Sequence, residues 1–224
     1  MTDRDFFEQT DFSFEMTGSG GEVEIRPYID IESDRARTLI ASFLVDSLEM
    51  IESARIPLSA GKNHVPFRQP VRIVKPLLWQ PRGEGAPSFY TFSVVFHQHG
   101  EPVHQIDRRT PIRFIETAPR RKFVRINGRE VRLAGSPGGN TVCLEDTDPG
   151  LKDKLEDCGR QGLIAVLKLT GVLGPEQVAA LPDVCLLAAE AGSRAQKLFR
   201  RSRHPQLPPL VTGKELDRLL NANR

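Results

Sequence analysis

Apolar positions recur along this chain with two different periods, and the changes between them suggest its elements. Between 22 and 31, Val23, Ile25 and Ile29 alternate with polar and charged residues, as in a half-buried strand. After Ser33, which offers an N-cap, Ile40, Phe43, Leu44, Leu48 and Ile51 return at helical spacing until Pro57 stops the pattern, which predicts a helix over 34–55. From 65 to 169 the texture becomes short β-type runs cut by Pro and Gly, at 71–79, 89–97, 103–106, 112–115, 123–133, 141–144 and 163–169. That spacing predicts an antiparallel sandwich or barrel. Asn127-Gly128 supplies two positive-φ residues for a type I′ hairpin turn, which sets Val124 opposite Val131 and Arg125 opposite Glu130. The run 163–169 is apolar on both faces except at Lys168, as a central strand would be. Helices are predicted over 175–181, over 183–201 behind Pro182, and over 214–222, where Thr212 and Glu215 have capping-box spacing.

Together these elements predict an α+β fold: a mainly antiparallel β-sheet or barrel region with one N-terminal helix and a helical C-terminal third. Residues 1–21 read as a flexible arm in which Phe6, Phe7, Phe12 and Phe14 are available for docking. Residues 22–171 read as a β-rich domain containing the 34–55 helix, and 172–224 as a helical region. The Pro-rich stretch 204–209 is an extended spacer that leaves the closing helix 214–222 free to reach a protein partner.

Composition narrows the function classes. The 224 residues are 39 % hydrophobic and 27 % charged, a globular balance. The net charge of +2 creates no global field, so a polyanionic partner has to be argued from local clustering. Cys143, Cys158 and Cys185 lack metal-site or CxxC spacing and read as buried thiols in a reducing compartment. An acidic N-terminus and the absence of a run of about 20 apolar residues point to a cytoplasmic protein with no membrane segment. No cofactor is expected: 135–140 lacks a P-loop's Gly-Lys-Ser/Thr, and the acidic stretch 145–157 lacks EF-hand spacing.

Two constellations carry candidate chemistry. If the chain reverses at Gly100-Glu101, His97, His99 and His104 fall on one face of a hairpin and form the alternative site of a metal-dependent enzyme. The other constellation is basic. Nine Arg and Lys residues lie between Arg108 and Arg132, with only Glu116 and Glu130 as acids. The Asn127-Gly128 hairpin places Arg121, Phe123, Arg125 and Arg132 together as an anion-binding face, with Arg200 and Arg201 of the later helix as further phosphate contacts. A solvated face with Arg125 paired to Glu130 is the structural alternative.

The expectation from these residues is a non-catalytic binding or assembly subunit that contacts nucleic acid or a nucleotide. Arg121-Lys122-Phe123-Val124-Arg125 also resembles the RxxxR opening of PilZ domains, and that resemblance implies a small β-barrel binding cyclic di-GMP. The second PilZ element, D/N-x-S-x-x-G, is missing from its usual place.

Overall fold

The computed structural model describes residues 6–7, 10–18, 21–118, 123–134, 139–179, 181, 183–202 and 207–220. The chain divides into two units, Met1–Pro76 with Tyr90–Thr110, and Leu77–Phe89 with Pro111–Arg224.

The first unit is built from β1 (Asp11–Gly18), β2 (Glu22–Ser33), β3 (Arg37–Val45), β4 (Leu48–Leu58), β5 (Gly61–Pro66), β6 (Val71–Val74), β7 (Tyr90–Gln98) and β8 (Glu101–Thr110). Two antiparallel sheets result. One has the order β1-β2-β5 with β6 also paired to β2, and the other has the order β4-β3-β7-β8. Alternation drives the packing: Phe12, Phe14, Val23, Ile25 and Ile29 of one sheet, and Phe43, Phe92, Val94 and Phe96 of the other, are buried. The Phe14 and Phe92 rings meet at 4.8 Å and the Phe12 and Phe43 rings at 6.3 Å, so the two inner faces form one sandwich core. The segment read as a flexible arm contains β1, and Phe6 is also buried, with the Arg37 guanidinium 4.2 Å over its ring.

There is no helix over 34–55. That span is the β3–β4 hairpin, turning at Asp46 and Ser47, both with positive φ (49° and 67°). Leu39, Ala41, Phe43 and Val45 are buried with a period of two, while register irregularities at 41–44 interrupt the pairing with β4. Those irregularities and the apolar Ile40 and Leu44 on the other face produce the apparent helical spacing. Pro57 is tolerated because β4 is an edge strand.

The second unit starts with an antiparallel sheet of β9 (Ile115–Ala118), β10 (Phe123–Ile126) and β11 (Arg129–Val131), in the order β11-β10-β9. The Asn127-Gly128 hairpin forms with the expected register, Val124 to Val131 and Arg125 to Glu130. There follow β12 (Thr141–Glu145), α1 (Leu151–Arg160), β13 (Ile164–Leu169), α2 (Pro175–Ala179), β14 (Val184–Ala189), α3 (Arg194–Arg201), β15 (Leu210–Thr212) and α4 (Gly213–Leu220). Their four strands form a parallel sheet in the sequential order β12-β13-β14-β15.

The C-terminal part is therefore not a helical third. Residues 184–189, expected inside a helix, are a parallel strand in which all six side chains are buried. Helix begins only at Arg194, where Ser193 Oγ accepts the Gln196 N–H. On one face of the parallel sheet, Ile164, Val166, Leu186 and Ala188 pack with Val124, Ile126, Trp79 and the α4 residues Leu216 and Leu219. On the other, Ala165, Leu167, Leu187 and Ala189 pack with Leu155, Val178, Ala195 and Phe199 from α1, α2 and α3. A parallel sheet covered on both faces needs apolar residues at successive positions, which explains the run in β13, broken only at Lys168, and the unbroken run in β14.

The capping box of α4 forms, with Thr212 N–H donating to Glu215 Oε2 at 2.7 Å and Glu215 N–H to Thr212 Oγ1 at 3.2 Å. Its apolar side is spent on this core, which corrects the expectation of a free helix at 214–222 docking a protein partner. Among the described residues, no helix is long and apolar enough to cross a membrane.

Candidate functional site

The histidines do not converge as a metal site. The β7–β8 hairpin turns at His99-Gly100, setting His97 opposite Pro102 and His104 opposite Phe96, with a register irregularity between Phe96 and His97. His97 Nε2 lies 3.0 Å from Ser42 Oγ, and His104 lies against the Phe7 and Phe96 rings. Among the described residues, no group of three or more His, Cys, Asp or Glu could hold a metal ion.

Nor do the described residues assemble the arginine surface. Arg121 lies outside the described residues. Phe123 is buried and offers no open ring for stacking. Arg125 lies between two carboxylates, 3.4 Å from Glu116 Oε2 and 3.7 Å from Glu130 Oε1. Arg132 is exposed beyond β11, while Arg200 and Arg201 are exposed on α3, on the opposite side of the parallel sheet from the β10–β11 hairpin. The hairpin belongs to a three-stranded sheet backed by parallel β/α units, unlike the small barrel that the PilZ resemblance implies.

A different set of polar groups gathers at the carboxyl edge of the parallel sheet. Lys168, the single break in the apolar run of β13, is exposed and pairs in register with Glu145, the last residue of β12. Register partners in a parallel sheet point to the same face, so an ammonium and a carboxylate emerge side by side. On the other flank Lys168 is opposite Ala188, whose small side chain leaves the lysine uncovered. Cys143 shares this face one pleat earlier. Burial pushes its thiol pKa up, the Lys168 charge pulls it down and the Asp217 charge of α4 adds to the rise. Lys168 and Asp217 thus act electrostatically on the same neighbourhood.

Asp146 fixes the geometry of this edge. Its buried carboxylate accepts from Thr170 N–H at 2.9 Å, Thr170 Oγ1 at 2.6 Å, and the N–H groups of Gly171, Val172 and Leu173 at 3.1–3.3 Å. Its own N–H donates to the Lys168 carbonyl at 3.0 Å. Burial raises the Asp146 pKa, but the donors from Thr170, Gly171 and Leu173 outweigh it and leave the group below its ordinary value. One side chain therefore ties the end of β12 to the loop after β13. In the sequence alone, Glu145 and Asp146 fall within the acidic stretch 145–157, where nothing local marks them as a site. The available signal was Lys168, a charge at the end of an otherwise apolar strand.

No family model matches the chain. A curated relative, beta-mannosidase B of Aspergillus terreus, is 37 % identical over 70 residues, 29 % of this chain and 8 % of that protein. Among solved structures, the exo-chitosanase CsxA of Amycolatopsis orientalis aligns over 91 % of this chain and 32 % of its own, with TM-score 0.70 and 14 % identity. The β-D-mannosidase of Dictyoglomus thermophilum aligns over 92 % of this chain and 36 % of its own, with TM-score 0.69 and 15 % identity. Bacteroides uniformis β-glucuronidase 2 aligns over 96 % and 30 %, with TM-score 0.60 and 14 % identity. The chain thus spans about a third of the solved structures it matches. The shared fold is a mostly β architecture found in glycoside-acting proteins, and this overturns the expectation of a nucleic-acid or nucleotide binder. It agrees with the dispersal of the arginines among the described residues.

Proposed function

We propose that this chain is a carbohydrate-active module that holds a glycoside at the carboxyl edge of the β12–β15 sheet. The observation that carries the reading is the fold likeness, over more than nine-tenths of the chain, to an exo-chitosanase and a β-D-mannosidase. The short match to a beta-mannosidase supports the same direction.

The site follows from the sheet. In α/β architectures, ligands lie outside the carboxyl ends of parallel strands, where loops are free to vary and polar side chains escape the core. Here that edge presents the Lys168 ammonium, a donor, beside the Glu145 carboxylate, an acceptor. Such a pair suits vicinal sugar hydroxyls, each of which both donates and accepts. Asp146 positions the pair without touching the ligand.

The test is a thermal-shift titration with methyl β-D-mannoside, β-D-glucosaminide and β-D-glucuronide, comparing wild type with Lys168→Ala and Glu145→Gln. Ligand at about a hundred times its Kd stabilises by about 2.7 kcal/mol. At least one glycoside is expected to raise the wild-type melting temperature, and both variants to reduce the rise. If no glycoside shifts wild type, or if the variants respond as wild type does, the reading fails.

A further inference from the structure

We propose a second saccharide-binding site, in the first unit, on the outward face of the β1-β2-β5 sheet, made by Ser13, Glu15, Tyr28, Asp30 and His64. It uses none of the residues of the carboxyl-edge site and does not depend on that reading.

Strand alternation that buries Phe12, Phe14, Ile29 and Ile31 turns the residues between them to the outside. In register, Ser13 lies beside Tyr28, Asp30 beside His64, and Glu15 one pleat along β1. The Tyr28 and His64 rings stack with centroids 4.4 Å apart and an interplanar angle of 7°. The His64 side chain remains 60 % exposed, so the pair offers open ring surface.

Hydrogen bonds lock this arrangement. Tyr28 Oη donates to Glu15 Oε2 at 3.1 Å, and Ser13 Oγ donates to Asp30 Oδ2 at 2.6 Å. His64 Nδ1 lies 2.5 Å from Asp30 Oδ1. With Nδ1 facing Asp30, Nε2 is the ring nitrogen left to meet a ligand. The hydroxyl donors are thereby spent, and what remains for a ligand is chiefly the free lone pairs of Glu15 and Asp30, with His64 Nε2 beside them and the half-exposed Arg26 guanidinium, register partner of Glu15, as one flanking donor.

A stacked ring surface edged by acceptors selects a ligand with a weakly polar C–H face and several hydroxyl donors. A neutral pyranose has that form. Two carboxylates against the one Arg26 guanidinium leave this face acidic, so an anionic sugar is disfavoured and charge separates the neutral class from uronates. Locked side chains also reduce the ordering cost of binding.

The experiment titrates the full chain with β-1,4-linked mannohexaose and, separately, with an oligouronate of equal length, following heat and the His64 imidazole resonances. Mannohexaose is expected to bind and shift His64, with the oligouronate bound about tenfold or more weakly. His64→Ala and Glu15→Gln should each weaken mannohexaose by about tenfold, a loss of about 1.4 kcal/mol in binding, with an unchanged melting temperature. Tyr28→Phe, which keeps the ring, tests the hydroxyl-held geometry separately. Absence of mannohexaose binding in a Lys168→Ala background, binding that survives His64→Ala in that background, or equal binding of the oligouronate overturns the proposal. Lys168→Ala should leave this interaction intact, so failure at the carboxyl edge and failure here are read independently.

Discussion

Replacing Gly159 by Ala reverses the usual sign of a helix substitution. Gly159 lies in the last turn of α1, where alanine ordinarily gains about 1 kcal/mol over glycine. An added Cβ, however, would overlap Asp183 Oδ1 and lie 2.8 Å from its Cγ, against about 3.5–4.0 Å for comfortable carbon contact. Asp183 is buried, so its carboxylate has no solvent to swing into. Overpacking of this kind costs about 1–3 kcal/mol. Set against the helical gain, the net loss is about 1 kcal/mol, which lowers the melting temperature of a chain of this size by about 2–4 °C. Trp79, the single tryptophan, is fully buried and donates to the Gly159 carbonyl at 3.3 Å, so its fluorescence reports the second unit's transition directly. An Asp183→Ala background removes the obstacle, and there Gly159→Ala should be neutral or stabilising. A Gly159→Ala single variant that melts at or above wild type, or a loss undiminished in the Asp183→Ala background, would refute the steric argument.

Two further expectations concern the same unit. Asp146→Asn replaces an acceptor-only carboxylate with an amide that faces backbone donors, and should cost about 2–4 kcal/mol in denaturant unfolding. Because Asp146 titrates below its ordinary value, its contribution is present above the unfolded-state pKa of about 3.9 and is lost as pH falls through the lower folded-state value. The stability difference between wild type and Asp146→Asn should therefore shrink only on acidification below about pH 4; a difference that is flat with pH contradicts the assignment. For the cysteines, burial pushes the Cys185 thiol up and encloses it, whereas Cys143 is half-buried. Native thiol labelling should modify Cys143 first and Cys185 at a rate limited by unfolding, and rapid labelling of Cys185 would show that its burial is wrong.

The features legible in the sequence were those set by a few adjacent residues. Asn127-Gly128 encodes its turn through positive φ, and Thr212 with Glu215 encodes a helix start through reciprocal hydrogen bonds; both depend on nothing distant. The run 163–169, apolar except at Lys168, likewise announced a strand covered on both faces, and Lys168 stood out where that cover ends. Periodicity misled in two places, for different reasons. Over 34–55, register irregularities and apolar residues on both faces imitated the phase of a helix, and only pairing of β3 with β4 and β7 distinguishes the two. Over 184–189, a strand buried on both faces has no alternation to read, and only β13 and β15 on its flanks make it a strand. Both candidate sites depend on distant pairing: β12 and β13, separated by α1, bring Glu145 beside Lys168, and β2 and β5 bring His64 beside Asp30. The chain order thus determined local turns, caps and apolar runs, because their energetics close within a few residues. Tertiary structure alone decided which strands are neighbours, and hence which charged groups and rings meet, because that choice rests on burying surfaces contributed by remote segments.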